Sequence, residues 1–275
     1  MRGRRKRPPV TGREKLQAAF SEGRATLVPY LTAGYPTLES AYEVGEAYIE
    51  AGADVIEVGV PFSDPLADGP TIQNVATRAL ENGTNVEYCL ELASRLSDQV
   101  PTVLLIYYNN IFACGAERFL REAAEAGVSG LVIPDLPIDE AREFRDVAAE
   151  RGVVICPLAA PTTDDDRLDR IAEAASGFVY CVSVAGVTGA REELSPRAIE
   201  LLRRVRARVS VPVALGYGIS SAELAVQASM EADGIIIGSK LMQLVTEEGP
   251  EGAGMWLKEV RSALDAHERE TVSGH

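Results

Sequence analysis

The apolar run VIEVGV at residues 55–60, followed by PFSDPLADGP at residues 61–70, indicates how this chain folds. A run this rich in β-branched residues is typical of a strand that is buried on both faces of a sheet. The ten residues after it follow neither a helical nor a strand period, and three prolines stiffen them. We therefore predict a buried parallel strand that leads through a loop into a helix, the repeating unit of α/β folds.

The same unit recurs along the chain, and we count eight copies of it. The predicted strands cover residues 26–30, 55–60, 103–108, 131–134, 153–157, 178–182, 212–215 and 235–237, and the helical patterns between them include residues 38–51, 116–126, 139–150, 165–175, 196–209 and 221–230. Gly52, Gly127 and Gly152 stand where glycines end helices. Eight units in about 250 residues favour an α/β fold of the closed (β/α)8 TIM-barrel type over an open doubly wound sheet.

We place this barrel, as a single domain, at residues 13–265. Residues 1–12 are expected to form a basic, disordered N-terminal tail, and residues 266–275 a C-terminal tail. In a barrel of this kind, the loops that follow the carboxyl ends of the strands carry the chemistry. We therefore expect the functional residues at those loops.

Charge and cysteine content exclude several classes of protein. The net charge is −14, and five of the 27 basic residues lie within the first nine positions, so the remaining body is strongly acidic. An acidic body argues against binding to nucleic acid or to an anionic membrane surface. No apolar run is long enough to span a membrane, and the basic start lacks the apolar stretch of a secretory signal. The four cysteines form no CxxC pair and are typical of reduced residues in a cytoplasmic protein.

The rarity of histidine and lysine narrows the chemistry further. The only histidines are His267 and His275, so the body of the chain has no imidazole for a Ser-His-Asp triad, a histidine base or a multi-histidine metal site. Of the four lysines, only Lys240 adjoins the end of a predicted strand, which makes a Schiff base a weak alternative. Acid–base chemistry must therefore use carboxylates, tyrosines or water, and we expect no bound metal.

Glu57 interrupts the apolar strand at residues 55–60. In a barrel it is expected to point into the lumen near the top, where burial favours the protonated form and raises the pKa of the carboxyl. The alternative is a structural glutamate held by a basic side chain. Asp64 and Asp68 in the following loop have three interpretations: turn or helix caps, a magnesium pair, or a second catalytic carboxylate that faces Glu57.

Glycine-rich loops follow the last three predicted strands. They contain the sequence AGVTG at residues 185–189, the sequence GYG at residues 216–218, and Gly238 with Ser239 at the start of a helix. Barrels often bind phosphate at such loops, because glycines allow backbone N–H groups to approach the anion and a helix N-terminus favours negative charge. Ordinary turns also use glycine, but the joint placement of the three loops favours a small phosphoester ligand.

Aromatic side chains near the strand ends have two interpretations. They line an apolar pocket for a flat ligand, or they pack within the core. The residues concerned are Tyr30, Tyr107, Tyr108, Phe112 and Tyr180.

The sequence closely resembles the α subunit of tryptophan synthase, from about Leu16 to Glu259. The most specific matching segment is GADVIEVGVPFSDPLADGPTIQN at residues 52–74, and the others are LVPYLTAGYP (27–36), LVIPDLP (131–137), SVAGVTGAR (183–191), GYGIS (216–220) and IIGS (236–239). The resemblance implies a carbon–oxygen lyase that performs the retro-aldol cleavage of indole-3-glycerol phosphate to indole and glyceraldehyde 3-phosphate in tryptophan biosynthesis.

The resemblance also implies roles for single residues. Glu57 corresponds to the acid–base residue that serves indole C3 and the glycerol 3′-hydroxyl, and Asp68 to the carboxylate that accepts the indole N–H. Thr188 lies in a loop that closes over the site in that family and meets Asp68. The indole pocket carries over to Tyr30, Leu105 and Tyr180, and the glycerol phosphate site to Gly189, Gly216, Tyr217, Gly218, Gly238 and Ser239.

The implied partner is the tryptophan synthase β subunit, in an α2β2 heterotetramer. Asp64 and Pro137 match positions associated with that contact. The pyridoxal phosphate (PLP) cofactor belongs to the β subunit, and this chain needs none. Three positions depart from the commonest family pattern: Tyr30 and Tyr217 stand where phenylalanine is frequent, and Val184 where arginine is frequent.

Four alternatives remain open at the level of sequence. The first is a stand-alone lyase of the same fold that needs no β subunit. The second is an isomerase or epimerase of another phosphosugar, and the third is a barrel without useful catalysis that serves as an allosteric binding subunit. The fourth, a magnesium enzyme built on Asp64 and Asp68, is the least favoured.

Overall fold

The computed structural model describes residues 11–20, 23–182, 193–216 and 218–273. The helices are α1 (Gly12–Phe20), α2 (Ser40–Glu50), α3 (Pro70–Glu81), α4 (Val86–Ser97), α5 (Tyr108–Cys114), α6 (Ala116–Glu125), α7 (Arg142–Glu150), α8 (Asp165–Ala174), α9 (Pro196–Arg206), α10 (Ala222–Ser229) and α11 (Ser239–Ser273). The strands are β1 (Thr26–Thr32), β2 (Ile56–Gly59), β3 (Thr102–Leu105), β4 (Gly130–Val132), β5 (Val154–Ile155), β6 (Leu158–Ala159), β7 (Val179–Val182), β8 (Val213–Gly216) and β9 (Gly234–Ile237).

All strand pairs are parallel, and the strand order is β5-β4-β3-β2-β1-β9-β8-β7-β6. The two outermost strands, β5 and β6, are consecutive in the chain. Cys156 between them donates its N–H to Leu131 of β4 at 2.8 Å, and Pro157 accepts the N–H of Tyr180 of β7 at 2.9 Å. One continuous segment therefore bonds both ends of the sheet, which closes the ring and confirms the predicted barrel.

The fifth predicted strand, at residues 153–157, was expected as one element and is instead divided between β5 and β6. The reason is Pro157, which has no N–H to donate and so cannot continue the pairing with β4. The chain passes to its other neighbour at this point. The other predicted strands are confirmed with shifted ends.

The predicted strand at 103–108 is too long. β3 ends at Leu105, and Tyr108 begins α5, with its N–H donated to the carboxylate of Asp135 at 2.7 Å. The predicted helix at 139–150 begins three residues later, at Arg142, because residues 137–140 form a turn in which Glu140 N–H bonds to the Pro137 carbonyl at 3.0 Å. Both differences lie at loop ends, where a side-chain hydrogen bond in the first case and a backbone turn in the second replace the regular pairing.

The N-terminal end of the barrel is closed by α1. Thr11 and Glu14 cap this helix reciprocally, and its Leu16 is fully buried beside the start of β4 at Gly130. Gly12 donates its N–H to Gly152 at 2.8 Å. With this end covered, the opposite end, formed by the carboxyl ends of the strands, is the one that can admit a ligand.

The last helix, α11, ties the C-terminus to the same closed end of the barrel. It is kinked at Gly249, which has a φ of 75°, and it continues to Ser273, through most of the segment assigned to a C-terminal tail. Its Arg261 is only 5% exposed and bonds the Ala25 carbonyl at 3.0 Å and Asp54 at 3.3 Å. None of the described helices has the length and apolar character needed to cross a membrane.

Candidate active site

Glu57 is the buried ionisable residue at the centre of the barrel. It lies on β2 between Tyr30 of β1 and Val103 of β3 and is 1% exposed. Its Oε1 atom has no hydrogen-bond partner among the described residues. Burial, and secondarily the charge of Asp68, raises the pKa of Glu57 to about 8. No cation of the described residues is among these causes, so the described part of the site does not support a glutamate held in a structural ion pair.

Asp68 lies at the end of the loop that joins β2 to α3. It is partly buried, and its carboxylate accepts the hydroxyl of Tyr107 at 3.2 Å. Burial raises the pKa of Asp68, and the hydrogen bond from Tyr107 partly offsets that effect. α3 begins after Gly69 and has no side-chain cap, so Asp68 is not a helix cap. Because its charge acts on Glu57, the two carboxyls share one poorly solvated space.

Tyr107 is a site residue that the sequence analysis named only as one of several aromatic residues near the strand ends. It follows β3, is 1% exposed and stacks on Phe62 with ring centroids 5.0 Å apart. Its hydroxyl also accepts the N–H of Ala67 at 3.0 Å. A tyrosine at a strand end was visible in the sequence, but its partners lie about forty residues away, where no local spacing reveals them.

Two tyrosines of the predicted indole pocket lie across glycines of neighbouring strands. The ring of Tyr30 covers Gly59, and the ring of Tyr180 covers Gly216, so tightly that a Cβ on either glycine would lie less than 3.0 Å from the ring. The Tyr30 hydroxyl is 3.0 Å from Oγ1 of Thr32. Gly59 was not predicted as a site residue, although a glycine inside a strand often marks a close approach.

Leu105, the third predicted indole-pocket residue, ends β3 directly beside Gly59 and is 8% exposed. It therefore lies one layer nearer the open end of the barrel than Glu57. Tyr30, Leu105 and Glu57 occupy three adjacent strands, so two of the three predicted pocket residues lie beside the strand that carries the buried carboxyl. Tyr180 lies on β7.

The late loops hold the predicted phosphate-binding residues. Gly238 and Ser239 mark the start of α11, and the Gly238 carbonyl accepts the N–H of Met242 at 3.0 Å. Gly218 has a φ of 85°, which favours glycine. Gly216 ends β8 with its Cα covered by Tyr180. Thr188, Gly189 and Tyr217 lie outside the described residues.

The two predicted partner-contact residues lie in the loops after β2 and β4, with β3 between these strands in the barrel. Asp64 is exposed in the loop after β2 and accepts the hydroxyl of Ser63 at 2.6 Å. Pro137 is partly buried in the loop after β4 and lines a cavity of about 220 Å³ with Leu158 and Arg167. No group of three His, Cys, Asp or Glu side chains within the described ranges could hold a metal ion, Asp64 and Asp68 included.

We expect Gly59→Ala to displace the ring of Tyr30 and to lower both stability and activity. Overpacking of this kind costs about 1–3 kcal/mol of unfolding free energy. The measurement is chemical denaturation, with Gly238→Ala as a stability control, since a Cβ there would meet Tyr30 at an ordinary 3.7 Å. Adding Tyr30→Leu to Gly59→Ala should restore much of the lost stability, and a purely additive double variant would contradict the contact.

The pKa of Glu57 also predicts how stability depends on pH. Between the ordinary value of 4.5 and about 8, the unfolded chain loses the Glu57 proton while the folded chain keeps it. Stability should therefore fall by up to about 1.4 kcal/mol per pH unit in this window through Glu57 alone and stay level above it. Denaturation curves of wild type and Glu57→Gln, compared from pH 5 to 9, isolate this contribution. A difference that does not grow with pH would contradict the raised pKa.

These features define a class of protein: a closed α/β barrel with a two-carboxylate site at the carboxyl ends of its strands. The family model described as Tryptophan synthase alpha chain matches residues 16–270. The chain belongs to the tryptophan synthase alpha chain family. It is a lyase subunit of tryptophan synthesis.

Individual relatives agree with this membership. The chain is 46% identical to the tryptophan synthase alpha chain of Synechococcus elongatus over 251 residues, which covers 90% of this chain and 94% of that one. It is 48% identical to the tryptophan synthase alpha chain of Methanopyrus kandleri over 82% of this chain and 83% of the relative. A solved structure of Mycobacterium tuberculosis tryptophan synthase matches with a TM-score of 0.86 and 37% identity, covering 91% of this chain and 98% of that one.

Proposed function

We propose that this chain cleaves indole-3-glycerol phosphate to indole and D-glyceraldehyde 3-phosphate, as the α subunit of tryptophan synthase. The observation that carries the proposal is Glu57, buried and with Oε1 unpartnered among the described residues, in the same space as Asp68. A carboxyl with a pKa of about 8 is protonated at neutral pH and can both give and take a proton. Family membership supplies the substrate.

The cleavage needs one proton delivered and one removed. Glu57 gives its proton to indole C3, which leaves the ring cationic at nitrogen. The resulting carboxylate then takes the proton of the glycerol 3′-hydroxyl, the bond between C3 and the glycerol carbon breaks, and its electron pair restores the indole ring. Glu57 ends protonated, as it began, and the glycerol carbon becomes the aldehyde.

Asp68 supplies the negative charge that these proton transfers need opposite the cationic indole ring. Its carboxylate accepts the indole N–H and stabilises the positive charge that develops on the ring. The partial burial of Asp68 strengthens this interaction, because little water competes for the carboxylate. The two carboxyls thus take different roles in one site, one protonated and the other ionised.

The phosphate and indole sites extend this proposal to the surrounding loops. The start of α11 at Gly238 and Ser239 offers backbone N–H groups and a favourable helix dipole to the phosphate. Gly189, Gly216, Tyr217 and Gly218 are proposed to complete that site. Tyr30, Leu105 and Tyr180 are proposed to hold the indole ring, and Thr188 to approach Asp68 from its loop.

The proposed partner is the β subunit, which carries the PLP cofactor and receives the indole in an α2β2 assembly. Two large apolar side chains support a partner at the open end: Leu66, 88% exposed in the loop after β2, and Phe112, 70% exposed on α5 after β3. Asp64 lies in the same loop as Leu66, and Pro137 follows β4, the strand next to β3. Large apolar groups exposed after neighbouring strands are typical of interaction surfaces.

Two further assignments belong to the same proposal. The enzyme is expected in the cytoplasm, since all four cysteines are free thiols, three of them buried. Residues 13–265 are proposed as the barrel domain. Of the predicted terminal segments, 1–12 and 266–275, Gly12 already belongs to α1 and residues 266–273 belong to α11.

The test is indole release from indole-3-glycerol phosphate by the purified chain, with and without a tryptophan synthase β subunit. Slow release alone, with strong activation by β, would support the proposal. Fast release that β does not change would favour a stand-alone lyase. Turnover of a pentose phosphate, with none of the indole substrate, would instead indicate an isomerase or epimerase.

A further inference from the structure

Tyr107 connects the loop between β2 and α3, which carries Asp68, to the sheet of the barrel. The backbone on both sides of it is fixed: Ile106 donates its N–H to Val132 of β4 at 3.0 Å, and Tyr108 donates its N–H to the Asp135 carboxylate at 2.7 Å. Its ring is buried and stacked on Phe62. The backbone position of Tyr107 is therefore set by β4 and the loop that follows it, while its ring and hydroxyl contact the loop between β2 and α3.

That hydroxyl makes two contacts with consecutive residues of the loop. It accepts the N–H of Ala67 at 3.0 Å and donates its own proton to Oδ2 of Asp68 at 3.2 Å. Among the described residues it is the one side-chain donor to the Asp68 carboxylate. Because a phenol has a single proton, and here that proton points to Asp68, the arrangement favours an ionised acceptor.

We propose that Tyr107 is a positioning residue for the reaction: its hydroxyl fixes the Asp68 carboxylate, and the backbone that carries it, in the ionised form and orientation that the indole cation requires. This inference rests on the function proposed above and adds a residue to it. Tyr107 acts through Asp68 and contacts no reacting atom itself.

The first test is Tyr107→Phe, assayed with the β subunit over a range of pH. The ring and its stacking remain, so the barrel should fold. We expect kcat to fall about tenfold, the scale of one hydrogen bond to a charged group, with a much smaller change in KM. The acid limb of the kcat/KM profile should move to higher pH, because the pKa of Asp68 rises when the donor is removed.

Tyr48→Phe is the matched control. Tyr48 on α2 is as deeply buried as Tyr107, and its hydroxyl has no hydrogen-bond partner among the described residues. We expect this variant to keep the wild-type kcat and pH profile. An equal loss in Tyr48→Phe and Tyr107→Phe would show a general effect of removing a buried hydroxyl and would overturn the proposal.

A second variant strengthens the donor without removing it. Replacing Tyr107 by 3,5-difluorotyrosine keeps the hydroxyl and makes it more acidic. Burial raises the pKa of Tyr107 well above its ordinary range, so the fluorinated phenol keeps its proton near neutral pH. The acid limb should then move to lower pH, opposite to Tyr107→Phe. Shifts in the same direction for both variants would contradict a hydrogen bond that acts on Asp68.

A direct titration of Asp68 separates this proposal from the proposed function. Carbon-13 NMR of labelled aspartate, assigned with Asp68→Asn, reports the pKa of Asp68 without turnover. A higher pKa of Asp68 in Tyr107→Phe supports the positioning contact even if wild type fails to cleave the indole substrate, in which case only the function falls. An unchanged Asp68 titration, with unchanged kcat in an active enzyme, would overturn the positioning role and leave the function intact.

Discussion

Glu57→Gln is expected to lower the rate of indole release by about a hundredfold to ten-thousandfold, the range contributed by general acid–base catalysis. Glutamine keeps the shape of the side chain but has no proton to transfer to indole C3. The measurement is kcat for cleavage of indole-3-glycerol phosphate in the presence of the β subunit. Substrate affinity should change much less than kcat, since the substituted group acts mainly in the transition state.

The same substitution provides its own control for folding. The folded protein holds Glu57 protonated at a free-energy cost above pH 4.5, so a neutral amide should leave the barrel at least as stable at neutral pH. A variant that is folded, stable and inactive therefore points to lost chemistry. Near-normal turnover in folded Glu57→Gln would remove Glu57 from the mechanism.

Asp68→Asn is expected to lower kcat by about a hundredfold or more, the scale of losing one preorganised electrostatic contact. The amide can still accept the Tyr107 hydroxyl through its oxygen, so the loop should keep its position. What is lost is the negative charge that stabilises the cationic indole. Steady-state kinetics with the β subunit, with kcat and KM determined separately, provide the measurement.

Glu81→Gln is a suitable control for the change of charge. Glu81 is exposed at the end of α3, outside the site, and its substitution changes the net charge by the same amount as Asp68→Asn. We expect wild-type kinetics from it. If Asp68→Asn raised KM and left kcat unchanged, the carboxylate would serve binding alone and the assigned role would be wrong.

The sequence predicts the framework because burial and periodicity are local. The apolar run around Glu57 indicates a buried strand, and the structure buries the carboxyl as expected. The closed barrel was also predicted, although the division of the fifth strand was not. That division depends on a change of partner between Cys156, which bonds to β4, and Pro157, which bonds to β7. Such a change is not visible in a linear pattern.

The site could be predicted only in part, for a similar reason. The residue pattern singled out Glu57 and left the choice between Asp64 and Asp68 open, and the resemblance to a family assigned the roles to Glu57 and Asp68. The charge of Asp68 acts on Glu57 in the structure. The contacts of Tyr107 with Ala67 and Asp68, and the close approach of Tyr30 to Gly59, join residues that are far apart in the chain. Pair contacts of this kind arise from the register of the sheet, which single-residue patterns do not specify.

The most direct test of this account is the pKa of Glu57 in the folded protein. Carbon-13 NMR of labelled glutamate side chains, with Glu57→Gln to assign the resonance, follows its titration from pH 4 to 10. The account predicts a carboxyl that is still protonated at pH 7 and titrates near 8. A Glu57 carboxyl that titrates near its ordinary value of 4.5 would be ionised at neutral pH and would contradict its role as the proton donor.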